Sequence, residues 1–202
     1  MSNALLLCDL WDRHWCRLAE AGTDRIAQLA APVVERFRGG GGLVIHAPSD
    51  TMAAYGDRPA RRRVSDLPSV DIPELDLRPR PPHPRSAAGQ CHCQPICAEG
   101  HPWTAQHPAV LIDETDYVLD TGPELWAVLG HEKIVQVFVA GVHTNICVLG
   151  RGFGVEAMVR RGISCALVAD LTEAMPASMT PETVEYVEDN WCPTLTSAEL
   201  RP

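Results

Sequence analysis

The sequence predicts an α/β protein built as a three-layer sandwich, with a central, mostly parallel sheet covered by helices on both faces. Three observations carry this expectation. Short apolar runs rich in β-branched residues recur along the chain, as expected of strands buried on both faces. Segments with helical spacing of apolar residues separate these runs, the alternation expected of strands joined by crossover helices. A chain of 202 residues, 46% of them apolar, can bury one substantial core, which suits a single domain over 1–202.

Taken in order, residues 4–8 form the first apolar run and the first strand. Residues 24–38 read as a helix with Ile26, Leu29, Val33, Val34 and Phe37 on one side, stopped by the glycines at 39–42. Residues 43–46 are the second strand. The stretch from about 49 to 106, rich in proline and arginine, has no convincing periodic element and reads as an excursion or lid. A third strand is expected at 109–112 and a short helix at 124–129. Residues 134–139 give the fourth strand, closed by Gly141. Thr144 and Asn145 are good N-cap residues, so a helix carrying Val148, Phe153, Val155 and Val159 should start there. A strand at 164–169, a helix at 181–190 with Pro181 in its first turn, and a short strand at 194–196 complete the chain.

Charge and leader signals narrow the function classes. A formal charge of −9 argues against a nucleic-acid surface, and the arginines at 61–63 and 78–85 read as solvated loop charges. The apolar stretch at 4–7 is far too short to span a bilayer and has no basic leader, which points to a cytoplasmic protein without a membrane partner. Eight cysteines without a secretion signal point to reduced thiols or metal ligands rather than disulfides.

In a parallel sheet the chemistry sits beyond the carboxyl ends of the strands. The residues there are Asp9, His46, the 113–117 stretch with Tyr117, the 141–147 turn and Asp170. Cys147 falls in the first helical turn after the fourth strand, where free N–H groups and the helix dipole favour a thiolate and can hold an oxyanion. The bland alternative is a small buried apolar residue. Asp9 is either a proton acceptor or a turn cap, and Asp170 reads as a helix cap. Trp11, His14 and Trp15 follow Asp9 and can form an aromatic wall for a flat or cationic substrate, with ordinary core packing equally open for Trp15. His46 and Tyr117 join the substrate-binding candidates. In the excursion, Cys91, Cys93, Cys97 and His101 have C-x-C-x3-C-x3-H spacing, which can close a tetrahedral zinc shell and order a polar loop; unligated thiols are the alternative.

The segment G-V-H-T-N-I-C-V-L-G, residues 141–150, resembles the nucleophile turn of the isochorismatase-like cysteine hydrolases, which include nicotinamidases and N-carbamoylsarcosine amidases. The resemblance runs from Leu5 to about Ser197 and is weak between Ser49 and Gln106. It implies the isochorismatase-like hydrolase fold, Cys147 as nucleophile, and Asp9 as the group that takes the thiol proton and later activates water. It also implies a cis peptide between Val142 and His143, with the His143 and Cys147 amides facing one oxyanion. A homo-oligomer acting on a small-molecule amide, with no cofactor needed for the chemistry, is the corresponding expectation. One departure is plain. Such enzymes carry a lysine at the end of the third strand, whereas the only lysine here is Lys133, at the start of the fourth. His143, His46, His14 or an arginine could supply the charge; otherwise a bare dyad, or a ligand-binding protein without turnover, follows. Vinyl ether hydrolysis by Asp9 alone is a further alternative, against which the intact Cys147 argues. The metal site that some nicotinamidases build after the second strand is not recognisable in H-A-P-S-D-T-M.

Overall fold

The computed structural model describes residues 2–83 and 89–202. Among these, six strands form one parallel sheet in the order β3-β2-β1-β4-β5-β6, with β1 at Ser2–Cys8, β2 at Leu43–Ala47, β3 at Tyr117–Val118, β4 at Ile134–Val142, β5 at Cys165–Glu173 and β6 at Thr194–Leu195. The helices are α1 at Arg17–Gly39, α2 at Pro59–Ser65, α3 at Gly122–His131, α4 at Val155–Arg160 and α5 at Thr180–Asn190. The alternation of side chains along β1 divides the core. Leu5 and Leu7 face α1 through Ile26, Ala30, Val34 and Phe37, whereas Ala4, Leu6 and Cys8 face the opposite layer, with Leu125, Val128, Met158 and Val187. Fully burying each large apolar side chain contributes about 1.5–3 kcal/mol, so both layers are held mainly by this sandwiching of the central strands.

Several elements differ from the expectation. The first helix begins at Arg17 rather than at 24, and Gly22 lies inside it without breaking it, facing the Glu173 side chain at the end of β5. Leu29, expected on the buried side, is 50% exposed. Residues 109–112 form no strand. Val110 bonds back to His107 in a turn, Leu111 is 67% exposed, and the free edge of β2 is taken by the two residues of β3. The excursion contains a 3-10 turn at Met52–Ala54 and the helix α2, but between α2 and β3 its described residues make no helix or strand. Arg61 and Arg80 are not simply solvated but pair with Glu124 and Glu156 in partly buried positions, whereas Arg62, paired with an open Asp57, is a solvated charge as expected; Arg85 lies outside the described residues. No helix among the described residues is long and apolar enough to cross a membrane.

Candidate active site

The connections from β1 run to β2 on one side and the chain returns to β4 on the other, so the switch point lies between β1 and β4. Their register pairs Leu7 with Ala140 and Cys8 with Gly141, which brings Asp9 and the turn after β4 to the same sheet end. Gly141 makes the close approach possible. Its φ is +122°, and a Cβ there would lie 2.0 Å from the Cys8 carbonyl oxygen. The Val142–His143 peptide is cis, as the resemblance implies.

Cys147 lies in a short π-helical turn, Thr144–Val148, rather than at the start of a long helix. Thr144 and Asn145 are not caps. The Asn145 amide exchanges two hydrogen bonds with the Met175 backbone, at 2.9 and 3.0 Å, and the Thr144 hydroxyl pairs with that of Thr172 at 2.8 Å, so both side chains tether the turn to the end of β5. The chain breaks again after Gly150, and α4 begins only at Val155. The expected helix-dipole stabilisation of a thiolate is therefore short of helix. Burial pushes the Cys147 thiol well above the ordinary range, and the neighbouring Asp9 charge pushes in the same direction.

Asp9 is completely buried at φ +49°. Its Oδ1 accepts the Ser49 N–H at 2.8 Å and its Oδ2 accepts Arg151 Nε at 2.9 Å, with the Cys147 thiol beside the carboxylate. Burial raises the Asp9 pKa, while Arg151, the neighbouring Cys147 thiol and the hydrogen bond from Ser49 oppose the rise. Arg151 is the cation at this site. Burial works against its charge, but Asp9 and Cys147 hold it protonated, and its Nη2 also reaches Asp50 Oδ2 at 3.3 Å. Leu119 and Asp120 follow β3, so no basic residue stands at that strand end.

None of the three histidines considered for this charge takes the role. His143 is buried, its ring nitrogens have no hydrogen-bond partner among the described residues, and burial followed by the proximity of His14 pulls its pKa down to about 3. His14 accepts the Cys16 N–H at Nδ1, which places the proton of its neutral form on Nε2, and burial lowers its pKa. His46 is fully buried away from the cavity, bridging Gln106 at 2.9 Å and Asp116 at 2.9 Å; Asp116 in turn pairs with Arg38. Its work is to fix the loop ahead of β3. Tyr117 is also excluded from the substrate-binding set: its hydroxyl bonds Glu132 and its ring lies in the core under Arg63. Asp170 caps no helix but holds Ser197 through two hydrogen bonds of 2.7 Å.

The cavity over Cys147 has a volume of about 390 Å³ and is lined by Trp11, His14, Trp15, Asp50, His101, Trp103, His143, Ile146, Arg151 and Met175. Trp11 and Trp103 stack with centroids 4.4 Å apart and planes 11° from parallel, and Trp11 Nε1 donates to the Ser49 carbonyl. A larger apolar groove of about 550 Å³, lined by Leu67, Trp126, Ile134 and Ile163, opens at the start of β4 and so at the wrong end of the sheet for the chemistry.

His101 belongs to this cavity and not to the sulfur cluster of the excursion; it meets Trp103 edge to face at 4.9 Å. The fourth member of the cluster is Cys16. The sulfurs of Cys16, Cys91, Cys93 and Cys97 all lie within 4.8 Å of one another. Arg151, Trp103 and Cys16 are the residues that pattern reading missed. Arg151 had a signal: it follows Cys147 by one helical turn, and its N–H bonds the Cys147 carbonyl. Trp103 and Cys16 had none, because their partners are far away in the chain.

A family model described as the isochorismatase domain matches residues 3–199. No curated protein matches the chain. Among solved structures, an isochorismatase-like hydrolase from Alkaliphilus metalliredigens is similar with a TM-score of 0.61 at 14% identity, over 98% of this chain and 93% of that one. The N-carbamoylsarcosine amidase from Thermoplasma acidophilum gives 0.59 at 16% identity over 100% of both chains. A pyrazinamidase of Pyrococcus horikoshii, solved in complex with zinc, gives 0.57 at 15% identity over 97% and 99%. At these identities the likeness is one of fold.

Proposed function

Since the chain belongs to the isochorismatase family of hydrolases, we propose that it cleaves the C–N bond of a small amide or ureide-like compound through a thioester on Cys147. The observation that carries this reading is the buried Asp9 carboxylate, beside the Cys147 thiol and ion-paired with Arg151 beneath an aromatic cavity. Similar folds in two amidases support a C–N bond as the one attacked.

In this mechanism Cys147 Sγ adds to the substrate carbonyl carbon as the thiol proton passes to Asp9. The carbonyl electron pair moves onto oxygen, where the His143 and Cys147 N–H groups hold it. Collapse breaks the C–N bond, and Asp9 returns the proton to the leaving nitrogen. Water then gives a proton to Asp9 as it adds to the thioester; the second collapse releases the acid and restores the thiol. Arg151 keeps Asp9 oriented and offsets the negative charge that builds up around the buried pair, with no cofactor in the bond-breaking steps. The stacked Trp11 and Trp103 offer a flat wall, which favours a planar substrate.

The test is ammonia or amine release over a panel of small planar amides and ureides, paired with mass spectrometry of the quenched enzyme. Cys147→Ala should abolish turnover and the acyl adduct together. Full activity in Cys147→Ala would refute the thioester route and leave attack by water activated at Asp9 as the better account of C–N cleavage. Tight binding of a panel member without product, in protein carrying an intact Cys147, would instead indicate a ligand-binding protein.

A further inference from the structure

The excursion between α2 and β3 supplies one side of the cavity through Gly89, His101 and Trp103, although its described residues after Ser65 form no helix or strand. What meets it at the start of α1 is a knot of sulfur. Cys16 Sγ lies 3.4 Å from Cys91 Sγ and 3.7 Å from Cys93 Sγ, and Cys97 completes the group. A tetrahedral zinc shell with bonds of about 2.3 Å places its sulfurs about 3.8 Å apart, close to these spacings. A pair of disulfides would need partners at about 2.0 Å instead.

The surroundings suit a thiolate shell. The Cys97 N–H donates to Cys91 Sγ and the Arg17 N–H to Cys97 Sγ, each at 3.5 Å; such outer hydrogen bonds hold metal-bound thiolates in place. Four thiolates around a dication leave a net charge of −2, and the cluster sits where that charge is tolerated: Cys16 caps the 23-residue α1 at its positive end, beside Arg17. The Arg17 guanidinium also reaches the Gln94 and Pro95 carbonyls at 3.5 and 3.0 Å, inside the loop joining Cys93 to Cys97. Cys16 and Cys93 are buried, and Ala19 and Met175 pack around them.

We propose that Cys16, Cys91, Cys93 and Cys97 hold one zinc ion in a closed four-thiolate shell that pins the excursion to the start of α1. The ion is structural, since four protein ligands leave no position for water or substrate. Its effect on the cavity is indirect. Cys16 directly follows Trp15, while Cys97 shortly precedes His101 and Trp103, and all three rings line the cavity, so the shell ties two distant parts of its lining together. This assignment does not depend on what the cavity hydrolyses.

Metal content of the full chain, purified in reductant without chelator, tests it. About one zinc per chain is expected, retained in His101→Ala and lost in Cys93→Ser. The histidine variant separates this shell from one completed by His101. Cobalt(II) exchanged into wild type should give the strong visible absorption of tetrahedral thiolate coordination, a readout that survives poor folding of a cysteine variant. Stripping the zinc should expose the four thiols to a thiol reagent and change tryptophan emission, because Trp15 packs against the cluster. Less than about half a zinc per chain, iron in its place, loss of zinc in His101→Ala, weak octahedral cobalt absorption, or disulfides among these cysteines in the fresh reduced protein would each overturn the proposal.

Discussion

At the residue scale, the question is which group carries positive charge beside a buried carboxylate and thiol. Arg151 answers it geometrically, with Nε 2.9 Å from Asp9 Oδ2 and a side chain 30% exposed, whereas His143 is buried neutral. Arg151→Gln should lower kcat by about two to three orders of magnitude while leaving the fold intact, with partial recovery in Arg151→Lys; an unchanged kcat in Arg151→Gln would remove the arginine from the mechanism. The pH profile carries the complementary prediction. The reactive free enzyme has Asp9 ionised and one proton on Cys147, so kcat/KM is lost on acidification as Asp9 takes a second proton into the pair. Burial raises the Asp9 pKa, which puts this acid limb above the ordinary carboxylate value of 3.8. The alkaline limb, set by loss of the thiol proton, lies above the ordinary thiol value of 9.0 because burial and Asp9 both raise it. Activity should therefore run level through neutral pH. An inflection near neutrality that disappears in a histidine variant would reinstate a histidine as the charged group. The same raised thiol makes Cys147, nearly buried, a poor target for iodoacetamide in the resting enzyme, contrary to what a helix-terminus thiolate would show.

At the element scale, the contact between β1 and β4 is what turns two strand ends into one site. Gly141 permits it through a positive φ and the absence of a Cβ that would strike the Cys8 carbonyl. Gly141→Ala should cost about 2–4 kcal/mol in urea denaturation, from backbone strain and overpacking, and should depress kcat more than it raises KM, since it separates Asp9 from the Cys147 turn. Wild-type stability and kcat in that variant would mean that the strands can part without consequence. The neighbouring tethers are of the same kind: Asn145 and Thr144 hold the nucleophile turn to β5 by hydrogen bonds where a longer helix would have held it by its own backbone.

At the scale of the whole molecule, two concavities open at opposite ends of the sheet, and the larger one is not over the reactive groups. Size alone would choose wrongly; the strand polarity decides. Trp103→Ala, which removes half of the stacked wall, should raise KM about five- to a hundredfold, in line with losing an aromatic platform of about 1–3 kcal/mol. Val135→Trp, which narrows the apolar groove at the far end, should leave kcat/KM within about twofold, as expected for a half-exposed position away from the chemistry. Steady-state kinetics on both variants checks this, and a reversal of the two effects would move the substrate to the other end of the sheet.

Much of this protein is local in the sequence. The strands at the chemistry end are apolar runs, the turn after β4 is a contiguous motif, and Asp9 ends its strand, so the fold class and the meeting of Asp9 and Cys147 at one sheet end were legible from neighbours within a few residues. The third strand was not, because a two-residue strand has no period and the better-looking apolar run at 109–112 lost the sheet edge to Tyr117 and Val118. Nor were the two pairings that complete the sites. Arg151 meets Asp9 across 142 residues, and Cys16 meets Cys91 across 75. Spacing along the chain says which side chains share a face of one element. Which faces come together is decided by sheet order and by the packing of both core layers, and that is why His101 looked like the fourth ligand and a histidine like the missing cation until the strands were in place.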